Sequence, residues 1–374
     1  MNIPKAFLSL LALVIFTSAS PPSSLAADGD TGRNAGVAQD CPEAPESVLL
    51  DLSARDLLNS KEPDDLMFAA GMAKIQRFPG QSWGLERPCL FRSSAVPESS
   101  SRYLLQLIDK FPGYHPGYPT AIAYCDNAPT TLDRCPADAE MACTIDVDAQ
   151  ATADLCGREL GRLWTRHDPD NGLAWRELAM RHYRHGEVAE AYTLLEKALA
   201  ARSVDAYSKQ LIQAMWGSAR RLYPRSTLEY LLQSEASVAL PDIWANAIAA
   251  SRFDTFFTAC RNESSRDPRW RQLCLALAER IETETDLLLE AAVANDIALT
   301  LLEDAGSTEA LLRAEQRRQI RKEMVNCSMQ RYDQNDRALQ IQALDVMARV
   351  GELEAMRQIC ERGLAAAYSL RGSD

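Results

Sequence analysis

The stretch that decides the fold is GLAWRELAMRHYRHGEVAEAYTLLEKALAA, residues 172–201, where small and aromatic residues fall at fixed offsets. These offsets predict one helical hairpin, with the turn at Gly186. Ala179 and Ala191 allow the two helices to approach closely, and Trp175 fills space between hairpins. Such a unit cannot bury its apolar face alone, so neighbouring helix pairs must stack on it.

The helical pattern continues through residues 151–374, which we predict to be an α-helical repeat domain. No stretch shows sustained alternation of apolar and polar residues with β-branched side chains, so the chain predicts an all-α fold of stacked helical hairpins, an α-solenoid. Short breaks such as Asp168–Asn171 separate the helices. The predicted helices are 151–167, 172–184, 187–201, 205–221, 226–234, 241–251, 266–282, 284–303, 307–331, 334–349 and 352–368.

Residues 41–150 predict a helical but loop-rich, cysteine-containing region in front of the repeats. Helices are expected over 41–60, over 63–75 and from the serines at 99–101 onward. The segment FPGYHPGYP, residues 111–119, is predicted not to be helical because its prolines break the hydrogen-bond ladder.

The first 26 residues predict a secretory signal peptide. A basic start at Lys5 precedes an apolar run over residues 6–19, and small residues end at Ala26, where we expect cleavage. The alternative is an uncleaved anchor, but the apolar run falls short of the ~18 residues that a membrane span requires. No transmembrane segment is expected after cleavage. Residues 27–40 are expected to be a flexible leader. The protein is therefore predicted to be exported, either periplasmic or secreted.

All ten cysteines lie beyond the signal peptide, and an even number in an exported chain predicts disulfides. None forms a C-x-x-C motif, which removes the signature of thioredoxin-like redox chemistry and of zinc ribbons. Joining cysteines on adjacent helices of one hairpin makes Cys260–Cys274 and Cys327–Cys360 the best candidate pairs.

The hairpin at 172–201 resembles a tetratricopeptide repeat, and residues 340–366 return part of the pattern. Continuing the 34-residue period places Lys209 at the position of Trp175, so the next unit departs from the family. The resemblance implies a superhelical stack that binds protein or peptide partners. The positions that carry the resemblance are Trp175, Leu178, Ala179, Gly186, Ala191, Leu195 and Ala198.

In that family the first helix of each pair lines a concave groove that holds peptides. The resemblance implies partner binding by the residues at the groove-facing positions, and their arginines suit an acidic or C-terminal peptide. The alternative is that the two arginines belong to a solvated face and that the tyrosine packs internally. These residues are Leu173, Arg176, Met180, Tyr183 and Arg184.

Sequence motifs for catalysis and metal binding are weak. The segment Gly80–Gly84 spells G-x-S-x-G, but no buried strand precedes it and no helix follows it, so we interpret it as a turn. His182 and His185 share a helix face, but no carboxylate ligand accompanies them. We therefore predict no cofactor and no metal. Paired catalytic carboxylates leave no local signature, so the sequence does not decide whether the protein is an enzyme.

The sequence leaves three functions open. The formal net charge of −12 disfavours nucleic acids and anionic lipids as main partners. The first hypothesis is an exported helical-repeat protein that binds a protein or peptide. The alternatives are an exported α-helical hydrolase with a carboxylate site and a purely structural envelope protein.

Overall fold

The computed structural model describes residues 57–77, 100–127, 149–222, 253–331 and 336–369. All of them belong to one compact unit, Glu43–Asp374. Several expectations lie outside the described residues, namely the signal peptide, the leader, the turn at Gly80–Gly84 and the helices at 226–234 and 241–251.

The described residues form helices and no β-strand, so the predicted all-α fold is confirmed. A single isolated bridge between Asn171 and Ser203 is the nearest approach to sheet structure in these segments. The helices are α1 (Pro63–Arg77), α2 (Ser100–Lys110), α3 (Gly117–Asn127), α4 (Ala149–Cys156), α5 (Leu160–His167), α6 (Gly172–Arg184), α7 (Val188–Ala200), α8 (Ser208–Leu222), α9 (residues 253–264), α10 (Pro268–Glu284), α11 (Leu288–Ala305), α12 (Thr308–Gln330), α13 (Arg337–Val350), α14 (Glu352–Arg362) and α15 (Leu364–Ser369).

The hairpin of α6 and α7 forms for reasons that are visible in the sequence. Asn171 caps α6 by accepting a hydrogen bond from the Leu173 amide at 3.0 Å. Gly186 makes the turn with φ of +79°, a conformation that favours glycine. Ala179 and Ala191 are both fully buried, which lets the two helices pack closely.

Helix pairs stack on one another through the described part of the molecule. α6 packs on α7, α7 on α10, α10 on α11, and α11 on α12, while α8 packs on α1 and α13. One continuous hydrophobic core runs from Leu57 to Leu301 and contains buried residues of each helix from α1 to α11. A smaller core lies among α13, α14 and α15 and includes Val346, Ile359 and Leu364.

Two predicted helices are each divided in two by a glycine. The helix expected over 151–167 is broken after Cys156, where Gly157 and Arg158 turn the chain toward α5. The helix expected over 352–368 ends at Arg362, because Gly363 has φ of +81°. Local periodicity continues across both glycines, so it does not reveal either break.

The segment at 111–119 is only partly non-helical, contrary to expectation. α3 begins at Gly117, so its first turn contains Pro119. Proline is tolerated in the first turn because the amide it lacks would have no partner inside the helix.

Three disulfides tie helices together in the described residues. Cys260 is joined to Cys274 and Cys327 to Cys360, which are the two pairs expected from their helical positions. A third bond joins Cys125 at the end of α3 to Cys156 at the end of α4. These bonds are compatible with an oxidising, exported location.

None of the described helices combines the length and the apolar character that crossing a bilayer requires.

Candidate functional site

The predicted groove residues of α6 lie mainly in the interior. Leu173 and Met180 are each 1% exposed, and Arg176 is completely buried. A peptide that bound on the surface of this conformation would not reach these three side chains.

Arg176 is held between α6 and α9. Its guanidinium lies 4.5 Å from the ring centroid of Phe253 and 5.7 Å from that of Phe256, and it forms an ion pair with Glu177. Its Nε and Nη1 atoms make no hydrogen bond with the described part of the protein. The alternative that Arg176 belongs to a solvated face is wrong, because the side chain is inside the core.

The other two groove candidates join α6 to neighbouring helices. The Tyr183 hydroxyl donates to a carboxylate oxygen of Glu263 at 3.0 Å, and burial raises the pKa of this tyrosine. Arg184 is exposed and donates to Asp126 on α3 at 2.9 Å. Both side chains therefore have partners within the fold.

His182 on α6 and His167 at the end of α5 both contact other protein groups. The His182 ring contacts the Glu187 carboxylate, and the His167 ring stacks on Tyr118 with 6.0 Å between ring centroids. Within the described segments, no three or more His, Cys, Asp or Glu side chains are grouped so that they could hold a metal ion.

A polar cluster links the loops before α3, before α6 and before α8. The Tyr207 hydroxyl donates to Asp168 and lies 3.2 Å from His115 Nδ1, while the Tyr207 amide donates to Asp205 at 2.7 Å. Tyr207 has φ of +59°, the only non-glycine residue with positive φ in the described segments. Burial raises the pKa of Tyr207 and that of Asp205. These hydrogen bonds hold Tyr207 in its strained conformation, so we interpret the cluster as structural.

The longest described helix, α12, presents the most open surface. Of its 23 residues, only Ala314 and Ser328 are buried. Leu312 is 59% exposed and Ile320 is 56% exposed, and they are the only large apolar side chains exposed in the described segments. Both lie on the same helix, which makes this surface different from the rest of the described molecule.

Leu312, Gln316 and Ile320 form a stripe along α12, which we call the outer face. Their spacing of four residues places them on one side of the helix, about 12 Å from end to end. Gln316 is exposed between the two apolar anchors. Charged side chains of both signs border the stripe, including the exposed Arg313 on one side and the exposed Glu315 on the other.

The opposite side of α12 is fixed by a buried acidic group on α10. Glu282 is 6% exposed and accepts a hydrogen bond from Arg317 Nε at 3.0 Å, and Arg321 also donates to it. Asn295 on α11 donates to Glu282 at 3.1 Å and to the carbonyl of Ala314 at 3.2 Å. This network fixes the rotation of α12, so the outer face points away from the stack.

The C-terminal end of α12 is tied covalently as well. The disulfide between Cys327 and Cys360 joins it to α14, against which α12 packs. The outer face is therefore carried by a helix that is held at both its middle and its end. A rigid surface of this kind loses little conformational entropy when a partner binds.

The outer face was not among the sites predicted from sequence. The helix was expected over 307–331, and the structure places it at Thr308–Gln330. The apolar residues of the whole helix are not concentrated on one side that a neighbouring helix could cover, and this weak amphipathicity is the signal that could have indicated an exposed helix.

No protein family, curated protein or solved structure shows significant similarity to this chain.

Proposed function

We propose that this is an exported helical-repeat protein that binds another protein through the outer face of α12. The observation that carries the proposal is the exposure of Leu312 and Ile320 on one helix that is otherwise held firmly. Large apolar side chains that cluster on a surface are typical of sites of protein interaction.

The spacing of the anchors favours one mode of recognition. Leu312 and Ile320 lie about two turns apart on one side of α12, and helices that dock in a groove of a folded partner present their apolar anchors along one side in this way. The mixed charges beside the stripe suit a polar rim around such a groove. The partner is therefore proposed to be a folded protein that offers a groove.

Two further features support the exported and repeat-like parts of the proposal. Three disulfides in the described residues suit an oxidising compartment. The packed pair of α6 and α7 has small residues at its contact and a glycine turn, and other helix pairs stack on it. Repeat scaffolds of stacked helices commonly serve as binding surfaces.

The proposal is tested by photocrosslinking from the outer face. A benzophenone amino acid replaces Gln316 in the full-length chain, which is expressed in its own cells, and the same probe at exposed Glu196 on α7 is the control. We expect a discrete heteromeric adduct from position 316 and not from position 196. The adduct should disappear in the L312E/I320E double variant.

The double variant also separates binding from folding. Both side chains are more than half exposed, so their replacement should change the free energy of unfolding by no more than ~0.5 kcal/mol each. An adduct that persists in the double variant, or the absence of any adduct at position 316, would contradict the proposal. An adduct made only of two copies of this chain would assign the face to self-association instead.

A further inference from the structure

The first turns of α11 and α14 lie side by side. The start of each helix donates a backbone hydrogen bond to an acceptor at the start of the other. The Leu288 amide, at the start of α11, donates to the Glu352 carboxylate at 2.8 Å. The Leu353 amide, in the first turn of α14, donates to the Asp286 carbonyl at 3.0 Å. The loop between α10 and α11 is thereby joined to the turn between α13 and α14.

The side chain of Asp286 lies directly against this turn. A β-carbon added to Gly351 would be 2.9 Å from both Cβ and Oδ2 of Asp286, so only glycine leaves room for the carboxylate. Gly351 also has φ of +90°, which other residues rarely adopt. The turn between α13 and α14 is therefore packed directly against the Asp286 side chain.

Carboxylates outnumber cations around Asp286. Asp205, from the loop before α8, and Glu290 on α11 both repel its charge, while Lys209 on α8 is the opposing cation. Glu352 adds a further carboxylate in the facing turn. Burial is the largest effect, and together with the neighbouring acids it raises the pKa of Asp286 to about 6.

We propose that the contact between Asp286 and Gly351 is an acid-strengthened latch, which holds the α13–α14 turn against the α10–α11 loop more firmly in mild acid than at neutral pH. This inference concerns a conformational device and does not depend on the proposed binding function.

The direction follows from proton linkage. When the turn is docked, the pKa of Asp286 lies above its ordinary value of 3.8, so protonation favours docking. The stabilising effect is complete below that ordinary value and is lost as the pH rises through about 6. Above this range the ionised carboxylate, which is partly buried, is repelled by Asp205 and Glu290.

Other contacts limit the opening to this end of the helices. The Cys327–Cys360 disulfide keeps α14 attached to α12, and Trp216 donates to Asp345 at 2.8 Å to keep α13 on α8. We therefore expect local loosening of the turn at neutral pH, and not release of the C-terminal helices.

Amide hydrogen exchange of the full-length protein tests the latch. The protection of the Leu288 and Leu353 amides is measured between pH 5.0 and pH 7.5, after division by the intrinsic exchange rate. For a pKa that moves from 3.8 to about 6 on docking, we expect protection to fall about tenfold over this interval. In D286N, which is neutral at every pH, protection should stay high and nearly constant.

Two variants complete the experiment. D304N removes an exposed carboxylate from the far end of α11, the helix that follows Asp286, and should behave as the wild type does. D205N removes one source of repulsion and should move the midpoint of the transition to lower pH. A wild-type protection that does not vary with pH, or a D286N profile equal to the wild-type profile, would overturn the proposal. If D286N does not fold, an unchanged midpoint in D205N overturns it.

Discussion

At the scale of the residue, Arg176 shows how burial decides the role of a side chain. Its guanidinium is completely buried, stacks on Phe253 and pairs with Glu177, which is 4% exposed. Charges in the core are costly unless they are paired, because water no longer solvates them. The pair is therefore a structural unit, and each member depends on the other.

Replacing Arg176 by methionine tests this dependence. R176M leaves the Glu177 carboxylate buried without its partner, and we expect a loss of ~3–5 kcal/mol in the free energy of unfolding, measured by urea denaturation. The R176M/E177Q double variant should recover much of that loss. A single variant as stable as the wild type, or a double variant no better than R176M, would show that the pair does not act as a unit.

At the scale of the element, the Asn171 side chain both caps α6 and binds the backbone of the loop that precedes α8. Its Oδ1 accepts from the amides of Leu173 and Asp205, at 3.0 and 3.1 Å, and its Nδ2 donates to the Asp205 carbonyl at 2.7 Å. The same side chain thus begins α6 and positions the loop before α8. Because the side chain is fully buried, water cannot replace these hydrogen bonds.

We expect N171A to reduce the free energy of unfolding by ~2–4 kcal/mol, since it removes a cap and leaves buried amides without acceptors. N171D keeps the acceptor and loses the donor, so its loss should be smaller. Asp336 caps α13 in an exposed position and provides the comparison. Equal losses in N171A and D336A by thermal unfolding would mean that Asn171 is only a helix cap.

At the scale of the whole molecule, disulfides hold the successive parts of the stack. The Cys260–Cys274 bond closes a separation of 14 residues, and Cys327–Cys360 closes 33. The second bond joins α12, which carries the outer face, to the C-terminal helices with their separate small core. In the chain-entropy model, a disulfide stabilises a fold by restricting the unfolded chain, and the effect grows with the length of the loop that the bond closes.

Removing the second bond should therefore destabilise the protein while leaving its helices in place. In the chain-entropy model, we expect C327A/C360A to cost about 4 kcal/mol and C260A/C274A about 3 kcal/mol before any effect of the cavity. Guanidinium denaturation under oxidising conditions measures the free energy of unfolding of each variant, and circular dichroism checks that the helices are retained. A C327A/C360A protein as stable as the wild type would show that α12 does not depend on this bond.

The sequence by itself determined the helical class, the positions of most described helices from residue 151 onward, and the positions of Cys260–Cys274 and Cys327–Cys360 on neighbouring helices. All of these follow from spacing along the chain, which sets local backbone geometry. Only the tertiary structure decided that Arg176 is inside the core, that Leu312 and Ile320 are outside it, and that Asp286 meets Gly351. The physical reason is that burial depends on which helices pack together, and those contacts join residues far apart in the sequence.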